Sequence, residues 1–191
     1  IEEKIMPALN QLEPVRSLQL DEHDSNRVRN LHLLTSKPTM YIANVAEDGF
    51  ASNCHLDAIR NLAASENTEI VVISNQLESE IIELNEEEKL EFLGEMGMEE
   101  PGLNRVIRAG YRLLNLQTFF TAGPKEVRAW AVKTGARAPE AAAVIHTDFK
   151  KGFIRAEVIS YDDFSKYGGE QGAKDAGRWR LEGKDYAIED G

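Results

Sequence analysis

Apolar positions recur along this chain with periods that change from helical to extended. Over the first 36 residues the period is helical. Ile1, Ile5, Leu9 and Leu12 return at steps of three and four, on one face of a helix. Pro7 is expected to kink that helix and Pro14 to end it. A polar helix is expected over residues 21–34, with Val28, Leu31 and Leu34 on one side, completing a helical arm over 1–36 that either supports the fold or touches a partner. Thr39 to Ala43 are mostly β-branched, aromatic or apolar, the pattern of a strand buried on both faces. A helix follows over Leu56–Ala64, with Leu56, Ile59 and Leu62 or Ala63 inward, and then an apolar strand over Glu69–Ile73. Two such strands joined by a helix predict a parallel βαβ unit with a right-handed crossover. The first strand ends at Asn44 with Glu47 just beyond, and the second ends at Ser74 and Asn75. Polar groups from two neighbouring strands therefore meet at one sheet edge, where open parallel sheets bind ligands.

Residues 77–100 read as acidic helices, with Leu77, Ile81 and Leu84 on one face and Leu90, Phe92 and Leu93 on another. The strongest helix runs from Pro101 to Leu116, with proline at its first position. Its expected inner face is Leu103, Val106, Ile107, Gly110, Leu113 and Leu114, and Arg105, Arg108 and Arg112 line the other side. It is expected to join two domains. From Gln117 the period becomes two. Thr118–Thr121 and Glu126–Lys133 predict strands around the turn Ala122-Gly123-Pro124-Lys125, followed by a helix over Ala138–Ile145. Phe153–Ile159 alternates again, Glu170–Gly177 is a helical turn, and Lys184–Glu189 a further strand. That order is the order of a β-grasp fold. The chain stops at Asp190-Gly191, hairpin-turn chemistry with no strand after it. A last strand is expected to be missing there. The first residue is already within the helical pattern and no initiator methionine precedes it, so the chain is expected to begin inside a larger protein.

Composition changes this picture little. The 42% hydrophobic and 29% charged content is that of a globular protein, and no apolar run approaches the ~20 residues that span a bilayer. No signal peptide is evident at the start. The single cysteine, Cys54, excludes an internal disulfide framework, fits a reducing compartment, and reads as a small, partly buried packing residue rather than a nucleophile. The net charge of −11 argues against a general DNA binder, yet it is local: residues 77–100 hold ten glutamates and one lysine. These glutamates read as a solvated face, and their spacing fixes no metal site. His23, His32, His55 and His146 are not spaced as a metal site either. Lys150, Lys151 and Arg155 interleave with Phe149 and Phe153, with Lys174, Arg178, Trp179 and Arg180 further on. Such interleaving suits RNA phosphates and stacked bases. It equally suits core aromatics under ordinary surface cations, because residues 145–191 carry eight basic and ten acidic side chains.

Five runs carry a resemblance: Leu34–Val45 (LTSKPTMYIANV), Glu100–Tyr111 (EPGLNRVIRAGY), Leu114–Gly123 (LNLQTFFTAG), His146–Phe149 (HTDF) with Lys151–Ala156 (KGFIRA), and Gly169–Lys174 (GEQGAK). Together they resemble the YchF-type ATPases, the Obg-like branch of the translation-factor-related P-loop proteins, over essentially the whole chain. The resemblance implies an α/β plus α+β chain in three parts. Residues 1–36 would be the returning part of a helical coiled-coil arm. Residues 37–113 would be the C-terminal part of a P-loop nucleotide-binding domain with a parallel sheet. Residues 114–191 would be a TGS domain of β-grasp (ubiquitin-like) type, without its last strand. The family's phosphate-binding half lies upstream, and no G-x-x-x-x-G-K-[ST] occurs in this sequence.

The resemblance also implies a chemistry. In related GTPases the strand ends in N-K-x-D, whose aspartate accepts hydrogens from guanine while the lysine stem packs on the base. Here the run is Asn44-Val45-Ala46-Glu47. A carboxylate set for guanine would face the acceptor N1 of adenine and repel it. A displaced carboxylate beside an apolar residue instead favours adenine. Asn44 would contact the base edge or brace the loop, Val45 would offer main-chain groups and an apolar surface, and Ser74 would complete the pocket, although Ser74-Asn75 departs from the usual Ser-Ala run. The implied ligands are ATP and Mg, the latter with ligands in the missing half, so no catalytic residue is assigned in this chain and the fragment alone is expected to be inactive. Implied partners are the ribosome or ribosomal RNA, in the cytoplasm, and no membrane or DNA. The alternative is a non-catalytic TGS-containing translation regulator that binds RNA or the ribosome.

Overall fold

The structure, a computed structural model, describes residues 1–50 and 53–191. It divides into two compact units, Ile1–Leu113 and Leu114–Gly191.

The first unit begins with two short helices, α1 (Glu2–Asn10) and α2 (Glu22–Arg29). Their core is Ile5, Val15 and Val28, with Leu9, Leu18 and Leu33 packed around it. Pro7 lies inside α1, which nonetheless runs on to Asn10 and ends before Pro14. Leu12, expected on the inner face, is 92% exposed. It takes the left-handed position after the helix, φ 61°, and the Glu13 N–H returns to the Ala8 carbonyl at 2.8 Å. That is a Schellman-type stop, and it turns the side chain out of the apolar stripe. The predicted helix to residue 34 also ends early, at Arg29, and a 3₁₀ turn covers Leu34–Ser36.

β1 (Tyr41–Asn44), α3 (Cys54–Ser65) and β2 (Ile70–Ile73) follow. The strands are parallel, with Tyr41 opposite Ile70 and Asn44 opposite Ile73. Ala43, Val45 and Leu56 form the core beneath them. β1 starts two residues later than expected and is not buried on both faces: Ile42 is 48% exposed in this two-stranded sheet. Of the alternatives in α3, Ala63 is buried and Leu62 is exposed. Cys54, expected partly buried, is exposed at the start of that helix.

α4 (Asn75–Glu83) buries Leu77 and Ile81. α5 (Glu86–Glu95) opens with a capping box between Asn85 and Glu88 and three glutamates in its first turn, where the helix dipole favours negative charge. It buries Leu93, while Leu90, expected beside it, is exposed. α6 (Gly102–Leu114) starts one residue after Pro101. Its buried positions are Gly102 and Ala109, and Leu103, Ile107 and Leu114 are about half exposed. The inner face is thus rotated from the one the apolar pattern predicts. Arg112 is drawn in by Glu69, donating from Nε at 3.4 Å and also from Nη2.

The second unit opens with the antiparallel hairpin β3 (Leu116–Ala122) and β4 (Val127–Lys133), with Phe119 opposite Trp130. α7 (Ala138–Ile145) covers it, and Val132, Ala136 and Ala141 close the core with Phe119 and Ile188. α8 (Thr147–Gly152), β5 (Ala156–Val158), α9 (Tyr161–Lys166), α10 (Glu170–Asp175) and β6 (Arg180–Glu182) complete the unit. β5 and β6 are antiparallel partners. The strand expected over Lys184–Glu189 is absent among the described residues. Among the described residues its one ladder contact is a bridge between Ala187 and Arg137, and pairing falls instead on Arg180–Glu182. The Asp190-Gly191 turn chemistry serves β3: the Asp190 carboxylate accepts the Thr118 N–H at 2.7 Å, and the Gly191 N–H donates to the Thr118 carbonyl at 2.8 Å.

Candidate functional site

The ends of β1 and β2 are joined by side-chain chemistry. Asn44 closes β1, and its Oδ1 accepts the Asn75 N–H at 2.9 Å. A strand-end amide thereby caps the first backbone donor of α4, which Ser74, the N-cap residue, does not satisfy with its own side chain. Ser74 is 2% exposed, and its Oγ has no hydrogen-bond partner among the described residues. A buried hydroxyl left without a partner is uncommon enough to require an explanation.

Val45 follows Asn44. Its N–H donates to the Ile73 carbonyl at 2.9 Å, and its side chain lies in the core. It therefore presents no apolar surface at the edge and keeps its carbonyl as the main-chain group it can offer. The chain then turns tightly. A Cβ at Gly49 would stand 3.0 Å from the Val45 Cβ, so glycine is what lets the turn close over the strand end. Glu47 opens that 3₁₀ turn, Glu47–Phe50, and is exposed. Asn53 then caps α3, accepting the His55 and Leu56 N–H groups at 3.0 and 3.3 Å. So the structure links the Asn44 and Ser74-Asn75 strand ends directly, and places Val45 and Glu47 one and three residues beyond the same strand.

The cations predicted for RNA contact lie elsewhere. Lys150 and Lys151 sit in the last turn of α8 and Arg155 just before β5, all three exposed. Phe149 is half exposed and packs its ring 5.7 Å from His146. The later basic residues are engaged locally: Lys174 pairs with Glu170 at 2.7 Å and lies over the Trp179 ring, and Arg180 lies over Tyr186.

Two features carry no local sequence signal. One is a cleft of about 1010 Å³ in the first unit, lined by Arg16, Arg29, His32, Lys37 and Arg112 with Glu66 and Glu69. Glu66 holds Arg16 at 3.2 Å and accepts from the Tyr41 hydroxyl at 3.0 Å, a bond that pushes the Tyr41 pKa up. The other is Glu78, whose carboxylate accepts the first two N–H groups of α6. Both assemble side chains from distant segments, so no spacing in the sequence announces them. The group Asp21, His23 and Asp24 is close enough to hold an ion, but Asp21 caps α2 and Asp24 is hydrogen-bonded by Lys4. Its geometry is that of a helix start held by an ion pair.

The fold is a mixed α/β one that matches a GTPase. A solved structure described as "Structure of the Schizosaccharomyces pombe YchF GTPase" superimposes with a TM-score of 0.81 at 33% identity, over 99% of this chain and 51% of that one. The family model YchF-GTPase_C, described as "Protein of unknown function (DUF933)", matches residues 116–191. A Haemophilus influenzae protein named ribosome-binding ATPase YchF is 62% identical over 189 residues, 99% of this chain and 52% of that protein. A Bacillus subtilis protein of the same name is 50% identical over 98% of this chain. The chain belongs to the YchF family, and it spans about half the length of the curated relatives it matches.

Proposed function

We propose that this chain is part of a cytoplasmic, ribosome-associated ATPase and supplies its adenine-reading edge together with a TGS domain. On this reading residues 1–36 are the returning part of a helical arm, 37–113 the later part of the nucleotide-binding domain, and 114–191 the TGS domain of β-grasp type. The observation that carries the reading is the joined strand end. Asn44 Oδ1 holds the Asn75 N–H at 2.9 Å, and the adjoining Ser74 offers a buried hydroxyl with no partner. With its oxygen committed as a brace, Asn44 retains two amide hydrogens to donate. The Ser74 hydroxyl can donate to a ring nitrogen or accept from an exocyclic amine.

Glu47 sets the preference for ATP over GTP. An ionised carboxylate only accepts, so it suits the exocyclic amine of adenine and repels N1. Its extra methylene, relative to the aspartate of a guanine site, displaces it from the position that would read guanine. Magnesium, when bound, neutralises charge on the phosphates. No residue of this chain is assigned to it or to the phosphates, and the isolated chain is expected to turn over no ATP. The half-exposed apolar pair Leu103 and Ile107 on α6 supports the assignment of 37–113 to part of a larger sheet domain. Ribosome contact is assigned to the exposed Lys150, Lys151 and Arg155, which suit rRNA phosphates.

Nucleotide titration of the full-length protein tests the reading. Glu47→Asp is expected to move the ATP-to-GTP affinity ratio toward GTP by about tenfold, the size of one hydrogen bond to a charged group. An unchanged ratio would remove Glu47 from the base site. For the ribosome arm, Lys150→Glu/Lys151→Glu is expected to abolish co-sedimentation, and an undiminished ribosome fraction would discard that patch.

A further inference from the structure

Glu78 stands one turn into α4, four residues after Ser74. Its two carboxylate oxygens accept from two consecutive backbone donors: Gly102 N–H to Oε1 at 2.6 Å and Leu103 N–H to Oε2 at 3.1 Å. These are the first N–H groups of α6, which have no partner inside their own helix and sit at its positive end. Gly102 is confined by this contact. A Cβ there would come within 2.7 Å of Glu78 Oε1 and 2.9 Å of Ile73 Cγ2. Ile73 is the residue paired with Asn44 across the sheet. So α4 is tied at its start to β1 through Asn44, and one turn later to α6 through Glu78. The unpartnered Ser74 hydroxyl belongs to the residue just before the first tie.

We infer that Glu78 is a positioning residue for the base edge. By anchoring α4 to the start of α6 it fixes where the Ser74 hydroxyl and the Asn44–Asn75 bond stand relative to an incoming purine. Glu78 touches no ligand on this account and acts through Ser74 and Asn75. The inference rests on the adenine reading of that edge.

The test is equilibrium ATP binding by the full-length protein carrying Glu78→Ala, Glu78→Gln, Ser74→Ala and the double variant Glu78→Ala/Ser74→Ala. Loss of the charge-assisted pair is expected to weaken ATP binding about tenfold in Glu78→Ala, with turnover at saturating ATP held within about twofold. Glu78→Gln keeps one acceptor oxygen and is expected to recover much of the loss. The double variant is expected to bind no worse than the weaker single variant, because without the Ser74 hydroxyl there is nothing left to misplace. Two independent structural effects would instead add. Additive losses, or unchanged binding in Glu78→Ala while Ser74→Ala is impaired, would overturn the positioning role alone. Unchanged binding in Ser74→Ala would overturn the adenine reading of the edge itself.

Discussion

A leucine held in left-handed backbone carries a strain that glycine lacks. Leu12 is in that state at φ 61° and buries almost nothing in return, being 92% exposed. Leu12→Gly is therefore expected to stabilise the first unit by roughly 0.5–1 kcal/mol, the strain relieved less the backbone freedom glycine adds to the unfolded chain. A urea midpoint that moves up checks this, and one that moves down would mean the side chain contributes more than its exposure indicates. Leu12 also shows what residue-level pattern reading can and cannot reach. It lies on the apolar stripe by spacing, but helix termination is decided by where the backbone reverses, and a period of 3.6 has no term for that. The polar strand ends were legible because they depend on one local feature, an apolar run stopping at a polar residue. Glu78 was not legible as a clamp, because its partners lie 24 and 25 residues further on.

An ion pair between Lys4 on α1 and Asp24 on α2 joins the two helices that contribute Ile5 and Val28 to one core. The hydrogen bond from Lys4 holds the Asp24 carboxyl below the usual carboxylate range, and the same bond raises Lys4. A carboxylate with a lowered folded-state pKa contributes stability above its unfolded value of about 3.9 and loses it as pH falls through the lowered value. Asp24→Asn is thus expected to lower Tm by a constant amount near neutrality, and the gap to the parent is expected to close as pH drops below about 4. A gap that persists in acid would assign the effect to packing. α6 poses the opposite problem. Its apolar residues at 103, 107 and 114 read as an inner face, but Gly102 and Ala109 are buried instead. Leu103→Lys/Ile107→Lys is expected to change the unfolding free energy of this 191-residue chain by no more than about 1 kcal/mol, as befits half-exposed sites, and to reduce its aggregation in light scattering. In the full-length protein the same pair is expected to destabilise, because the proposed larger sheet domain would cover that stripe.

Among the described residues each of the two units has a core of its own. The first is built on Ile5, Val15 and Val28 and on Ala43, Val45 and Leu56; the second on Val132, Ala136 and Ala141. The change of period near residue 117 marked this division in the sequence, because a helical stripe and a strand alternation cannot line the same core element. The strand expected over Lys184–Glu189 fails for a related reason. Lys184–Glu189 alternates as a strand does, yet among the described residues its backbone pairs at a single bridge, Ala187 with Arg137. The Ile188 N–H bonds the Ala136 carbonyl, and the Ile188 carbonyl accepts from the buried Gln117 amide at 2.7 Å. Separate cores make separate cooperative units, so calorimetry of the chain is expected to resolve two transitions rather than one. Leu56→Ala, at a residue 2% exposed, is expected to shift only one of them, by roughly 2–5 kcal/mol. Val132→Ala, at 5% exposure, is expected to shift only the other, by a smaller amount because it removes two side-chain carbons where Leu56→Ala removes three. If either substitution moved both transitions together, the two cores would be energetically one, and the proposed boundary between nucleotide domain and TGS domain at 113/114 would have to be abandoned.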